Sequence, residues 1–305
     1  MTRFPAYMTT LHITRFMDAP LLTADMDECL GGNVNGPSLI KVPTWLPNPL
    51  GAYYLYFAHH SGKSIRLAYA DRLEGPWHLY KPGTLQMEQS FCRGHIASPD
   101  VHIDEANRRL ILFYHGVPQL PLGKVPQATK VACSEDGLHF TAKEETLGKA
   151  YWRCFFWKDA YYGVTMSGRL YRSREWFGPY EEGPNLFERM DVWQRHMAVK
   201  LSGDTLYLFY SIKQDTPEHI VVSRIPLSDD WMSWRVSSHE SVLKPERDYE
   251  GADLPLLPSE SGAIHNRVRQ LRDPGIFEED GQTYLLYSIA GESGLAIVQI
   301  EGFES

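Results

Sequence analysis

Five short stretches of this chain gather polar and ionisable side chains of the kinds that transfer protons or hold polar ligands. They read NVNGPS (33–38), HIASPD (95–100), YWRC (151–154), QRHMA (194–198) and QLRDP (270–274). Between them they supply Asn33, Asn35, His95, Asp100, Arg153, Arg195, His196, Arg272 and Asp273. Carboxylates and imidazoles do general acid–base work, and guanidinium groups bind anions bidentately. A second set follows aromatic runs downstream: His59-His60, His115, Ser211 and Ser288. Adjacent residues of a strand point to opposite faces, so at most one of His59 and His60 can face a shared site. Their spacing is not a zinc-ligand pattern, and no third ligand is specified. No metal site or cofactor is expected, although one structural cation or water at the convergence point is compatible with the text.

Such groups converge only if the elements carrying them do. The runs YYLYF (53–57), LILFY (110–114), LYLFY (206–210) and YLLY (284–287) have strand length and β-favouring composition. Each is preceded by a turn, and each turn by a shorter apolar run at 38–42, 100–103, 198–201 and 275–277. A third run follows each, at 65–70, 129–134, 220–225 and 295–300, and a weaker copy of the pattern occupies 151–173. Five repeats of three or four strands predict an all-β five-bladed β-propeller, with four antiparallel strands per blade, as a single domain over 1–305. In that architecture the innermost strands line a central channel, and the five polar stretches gather at one of its ends. The segment LHITRF (11–16) is expected to close the ring by adding a strand to the last blade, which removes an exposed edge. Residues 235–270 read as the longest irregular insert.

Composition narrows the partners. The chain has 305 residues, 43% hydrophobic, with 30 basic against 38 acidic side chains. That balance argues against general nucleic-acid binding, which wants a basic face. No apolar run is long enough to span a bilayer, and no secretory signal is evident, so a cytoplasmic location is expected. The four cysteines have no CxxC spacing and make no disulfide framework. The oligomeric state is left open, a homo-oligomer included.

The segments SPDVHIDEANRRLILFYHG (98–116), ACSEDGLHF (132–140) and RDPGIFEEDGQTYLLYS (272–288) resemble the five-bladed propeller glycosidases, glycoside hydrolase families 43, 32, 68 and 117. The chain also looks close to a bacterial group of glycosidase-like proteins. The resemblance implies a glycoside hydrolase acting on a short oligosaccharide, exo-acting, with carboxylate acid–base chemistry at the channel mouth. In those families a first-blade Asp is base or nucleophile, a second Asp orients substrate or tunes a pKa, and a later Glu is the acid. Here the first blade departs, because Asn35 stands where an Asp is usual. Asp100 and Asp273 match the second- and last-blade motifs. The third blade offers Trp152 and Arg153 instead of a Glu.

The acid is therefore sought in the insert, at Glu250, with Asp253 in reserve. His196 and His265 are alternatives, since family 117 is thought to use a histidine there. Asn35, His59, His60, His95, His115, Trp152, Arg153, His196, Arg272, Asp253 and His265 form the expected substrate-binding set, with Trp193 a further stacking candidate. Arg66, Arg153 and Arg195 would suit an acidic sugar. The bland alternatives are a solvated loop carboxylate for Glu250, a structural pair with Arg272 for Asp273, and a turn-stabilising role for Asp100. Two rival functions stay open: a glycoside phosphorylase, and a non-catalytic carbohydrate-binding propeller that has lost the first-blade carboxylate.

Overall fold

The computed structural model describes residues 10–260, 262–264 and 266–304. It forms five antiparallel sheets around a central channel, the five-bladed propeller expected from the repeats. The innermost strands, in blade order, are Asn35–Lys41, Cys92–Asp104, Arg153–Trp157, Gln194–Ser202 and Arg272–Glu279. The second strands are Tyr53–Ala58, Arg109–Pro118, Ala160–Val164, Thr205–Ile212 and Gln282–Ile289. They coincide with the aromatic runs of the sequence. Helix among the described residues is limited to short 3₁₀ turns, and no helix is long and apolar enough to cross a membrane.

Apolar residues fill the spaces between blades. Tyr54 and Tyr56 pack toward blade two, with Leu112 and Tyr114. Leu55 and Phe57, one residue out of phase, pack toward blade five, with Phe277 and Leu286. Alternation along the strand sends successive side chains to opposite faces. In a propeller both faces are covered, so the second strand reads as an unbroken apolar run instead of an alternating one. Each side chain buried this way contributes about 1.5–3 kcal/mol of transfer free energy.

The ring closes as expected. His12–Thr14 pairs antiparallel with Gly294–Glu301, in register Ile13 to Ile300, so the last blade is built from both ends of the chain. Leu22–Thr23 adds a second short pairing to the same strand. The insert is less irregular than its text suggests. Glu240–Leu243 is the fourth strand of blade four, pairing with Ile220–Pro226.

Candidate active site

Three inner strands carry the same device. Gly36, Ser98 and Asp273 each precede a proline, and each holds a positive φ, of 60°, 49° and 47°. The ladder slips at all three, between Asn35 and Ser38, Ala97 and Asp100, and Arg272 and Gly275. Such a bulge kinks the strand and re-aims the side chain it carries. In blade five that side chain is a carboxylate. Asp273 is about 1% exposed, meets His196 Nδ1 through Oδ1, and accepts a hydrogen bond from Ser288 Oγ at 3.2 Å. The His196 ring stacks on Tyr151, with centroids 4.3 Å apart, and Tyr151 in turn lies 3.9 Å from His115. Burial, reinforced by Arg195 and the nearby imidazoles, pushes His196 well below the usual histidine range. Burial thus favours the neutral ring. With Nδ1 against the carboxylate, Nε2 is the ring nitrogen left for a ligand, and no hydrogen bond to it is found among the described residues.

A network of buried ions lies beside this pair. Arg272 donates from Nη1 to Glu292 at 3.0 Å and lies 2.9 Å from Glu218 through Nη2. All three side chains are buried to about 1% or less. Glu218 also accepts from Ser211 at 2.6 Å and faces Arg195 at 3.3 Å. Glu292 accepts from Asn33 at 2.6 Å and Asn35 at 3.3 Å, and faces His60 Nδ1 at 3.5 Å. Burial alone would raise the Glu292 carboxyl. The bonds from His60 and Asn33, with the Arg272 charge, outweigh it and hold the group at about 2. Arg272 is thus the hub of two carboxylates, where the sequence suggested a pair with Asp273.

Of these groups, His60, Arg195 and His196 line a cavity of about 510 Å³, together with Tyr151, Trp193 and Lys213. Trp193 is 65% exposed, an unusual state for so large an apolar ring, and the Lys213 ammonium lies 4.3 Å from its centre. An open indole at the edge of a polar cavity is a surface on which a sugar face can stack. Two imidazole–carboxylate pairs, His196–Asp273 and His60–Glu292, therefore serve one cavity. Those are the parts needed for proton transfer to and from a bound glycoside.

The expected site residues divide. Asn35, His60, His196, Arg272 and Asp273 come together at this mouth. His115 stacks beneath Tyr151, and His95 lies 6.0 Å further out; burial lowers the pKa of both. His59, which with His60 falls just past the strand ending at Ala58, lines a separate 280 Å³ cavity beside Arg66. Arg153 is buried and donates to the carbonyls of Pro99 and Trp152. Trp152 stacks on Phe113, 6.0 Å away, inside the blade-two to blade-three core, so it presents no ring to a ligand.

Asp100 and Glu250 depart from their expected places. Asp100 follows its proline, whereas Asp273 precedes one, so Asp100 corresponds to Ser38 and Gly275 instead. It faces a second cavity, of about 420 Å³, between the inner strands. There Oδ2 accepts from Cys154 N and His102 Nε2, both at 2.8 Å. Ser38 Oγ accepts Val101 N at 2.9 Å in the same manner, so both residues fasten one inner strand to the next. Gly275 completes the set, because a Cβ there would stand 2.5 Å from the Pro37 carbonyl oxygen.

Glu250 does not reach over the mouth. It is fully buried, bonded to Arg15 at 2.9 and 3.0 Å, to Tyr287 Oη at 2.7 Å and to two backbone N–H groups. It braces the N-terminal segment against the last blade. Asp253 is exposed on its loop. His265 lies outside the described residues. Glu218, Glu292, Tyr151 and Lys213 were not anticipated. The first two sit in the hairpins after the second strands of blades four and five, a few residues beyond the Ser211 and Ser288 that the sequence did mark. For the cation considered at the axis, the described residues offer no group of three His, Cys, Asp or Glu side chains that could hold a metal ion.

No family model matches the chain. Among solved structures, the fold is similar to a family 43 β-xylosidase/α-arabinofuranosidase from a compost microbial metagenome (TM-score 0.61, 12% identity, 94% of this chain and 95% of that one). It is also similar to an exo-1,5-α-L-arabinanase from a bovine ruminal metagenomic library (TM-score 0.57, 14% identity, 88% and 93%). A family 43 enzyme from Xanthomonas citri, solved with xylotriose, gives a TM-score of 0.59 at 14% identity over 93% and 88% of the two chains. These likenesses establish the fold as the five-bladed propeller of the family 43 glycosidases. In sequence the chain is 35% identical, over 324 aligned positions, to "Uncharacterized protein R118" of Acanthamoeba polyphaga mimivirus, covering 94% of this chain and 89% of the viral one. This relative is viral, where the sequence had pointed to a bacterial group. At that identity and coverage, the chain belongs to the family of the mimivirus protein.

Proposed function

We propose that this protein is a glycoside hydrolase, acting from the end of a short oligosaccharide bound in the 510 Å³ cavity. The observation that carries the reading is His196, backed by the buried Asp273, in the wall of a sugar-sized cavity with an open indole at its edge. His196 is the base. Asp273 holds its Nδ1–H and stabilises the imidazolium that forms as Nε2 takes a proton from the attacking water. His60, backed by the ionised Glu292, is the donor to the leaving oxygen, and Tyr151 orders the His196 ring between them. Imidazoles thus take the roles that carboxylates fill in the resembling families, which is how a chain with Asn35 in the first-blade position keeps two proton-transfer groups.

The cavity supports action at a chain end. The 186–193 loop bounds one side of it and Gly262 of the insert another, so it suits a terminal sugar better than a continuous strand. The four cysteines are all free, which suits a reducing compartment such as the cytoplasm. Arg195 and Lys213 in the wall keep a phosphorolytic version of the reaction in view, with phosphate in place of water.

The test is a screen of aryl glycosides and natural oligosaccharides, with and without inorganic phosphate, using wild type beside His196→Ala. Sugar release by the wild type alone, independent of phosphate, is the expected result. Release only with phosphate makes the protein a phosphorylase. Silence across the panel, together with ligand-induced thermal stabilisation, makes it a binding propeller.

A further inference from the structure

The wall of the 510 Å³ cavity runs against the charge of the molecule. The chain carries a net charge of −8, yet none of the described residues lining this cavity is Asp or Glu, while His60, Arg195, His196 and Lys213 all border it. The carboxylates nearby lie behind the wall, and each is engaged. Glu218 is held by Arg272, Arg195 and Ser211, Glu292 by Arg272, Asn33 and His60, and Asp273 by His196 and Ser288. Lys213 has no such partner: among the described residues it forms no ion pair, and its ammonium is held over the Trp193 ring. Arg195 spends Nη1 on the Glu260 carbonyl and lays Nε beside Glu218. No hydrogen bond from its Nη2 is found among the described residues.

A half-buried ammonium with no counter-charge, fixed above the one open indole of the cavity, is poorly explained by folding stability. A cation–π contact at such a site contributes only about 0.5–1 kcal/mol. The arrangement is well explained by a ligand. A pyranose stacked on Trp193 would bring its ring substituents beside Lys213 and Arg195, and a neutral hydroxyl would leave that cationic edge uncompensated. We propose that the cavity takes glycosides whose terminal sugar bears an anionic substituent, a carboxylate or a sulfate, and that Lys213 is the residue that selects it. The proposal rests on the reading of this cavity as a sugar site and names the class of sugar.

The experiment is a binding titration by calorimetry, which needs no turnover. The probes are glucuronic and galacturonic acid, galactose 6-sulfate, and the neutral parents glucose and galactose, with wild type and Lys213→Met. The methionine keeps an apolar stem over Trp193 and removes only the charge. The expected result is that at least one anionic sugar binds the wild type roughly tenfold more tightly than its neutral parent, about 1.4 kcal/mol. That ratio collapses toward one in Lys213→Met and shrinks in high salt. Preference for the uronates over the sulfate assigns the substituent as a carboxylate, and the reverse assigns a sulfate. Equal binding of charged and neutral sugars, a preference that survives Lys213→Met, or no binding of any probe overturns the proposal. Charge-selective binding without cleavage of any matching glycoside would leave this inference standing while removing the hydrolase reading, so the two fail separately.

Discussion

The two ends of the propeller channel are built from the same strands by the same bulge, yet they differ in kind. At the mouth where the inner strands begin, Glu218, Arg272 and Glu292 form a set of buried ions, with Asp273 and His196 paired beside them next to an open cavity. Past the prolines, Ser38 and Asp100 spend their side-chain oxygens on the backbone of the next blade. A proline separates the two behaviours. A carboxylate before it, in the left-handed bulge, is turned toward the mouth; a carboxylate after it points across the strand gap and becomes a fastener. Residue type says little about role here until the position relative to the bulge is known.

The comparison can be broken where the mouth is most costly to build. Arg272→Met leaves Glu218 and Glu292 buried without their shared cation, and loss of one member of a buried ionic set costs about 3–5 kcal/mol. Thermal or urea unfolding should show that loss. If stability is unchanged, the ions at the mouth are solvated and the contrast between the two ends is overstated. Glu250→Gln comes next. It keeps the shape of the brace but removes the charge facing Arg15, and about 2 kcal/mol should be lost, with turnover per folded molecule unchanged. A fall in kcat at constant folded fraction would return Glu250 to the catalytic machinery.

Acid sharpens the contrast further. Glu292, held at about 2 against about 4.3 for an unfolded glutamate, favours the folded state above that unfolded value. Its contribution is lost as pH falls through the interval toward 2. His115 and His196, kept neutral by burial, act with the same sign: below roughly pH 6.5 the unfolded chain takes up protons that the folded chain refuses. Stability should therefore decline on acidification from about pH 6.5, in urea midpoints measured across pH, and His60→Gln should flatten the lower part of the decline. The smallest expected effect is at the rim. Trp193→Ala should raise KM about tenfold with kcat little changed, since a stacking surface binds ground and transition states alike.

The architecture was legible because both faces of each second strand are buried. YYLYF and LYLFY advertise themselves, and blade counting needs nothing more. The fourth strands were harder, since Thr141–Ala142 and Glu240–Leu243 are short and half-exposed. Asp273, His196, Arg272 and His60 could be expected near one another because topology brings together the strand ends that carry them. Asp100 was expected beside Asp273 because SPD and RDP look alike on the page, although the proline falls on opposite sides of the carboxylate. The burial of Glu250 was not foreseen, because a loop glutamate gives no sign that it will pair with Arg15, 235 positions away. Glu218 and Glu292 were passed over because hairpin glutamates are usually solvated, and only their convergence on Arg272 makes them otherwise.

The central claim is that chemistry belongs to the mouth and not to the strand gap, and two matched variants test it. Asparagine tolerates the left-handed backbone of Asp273 and can still accept Cys154 N in place of Asp100. On the best substrate from the screen, Asp273→Asn should lower kcat/KM by about 10³-fold or more, since its histidine loses both tautomer control and charge stabilisation. Asp100→Asn should stay within about threefold of wild type. Equal losses in the two variants, or a larger loss at Asp100, would contradict the account.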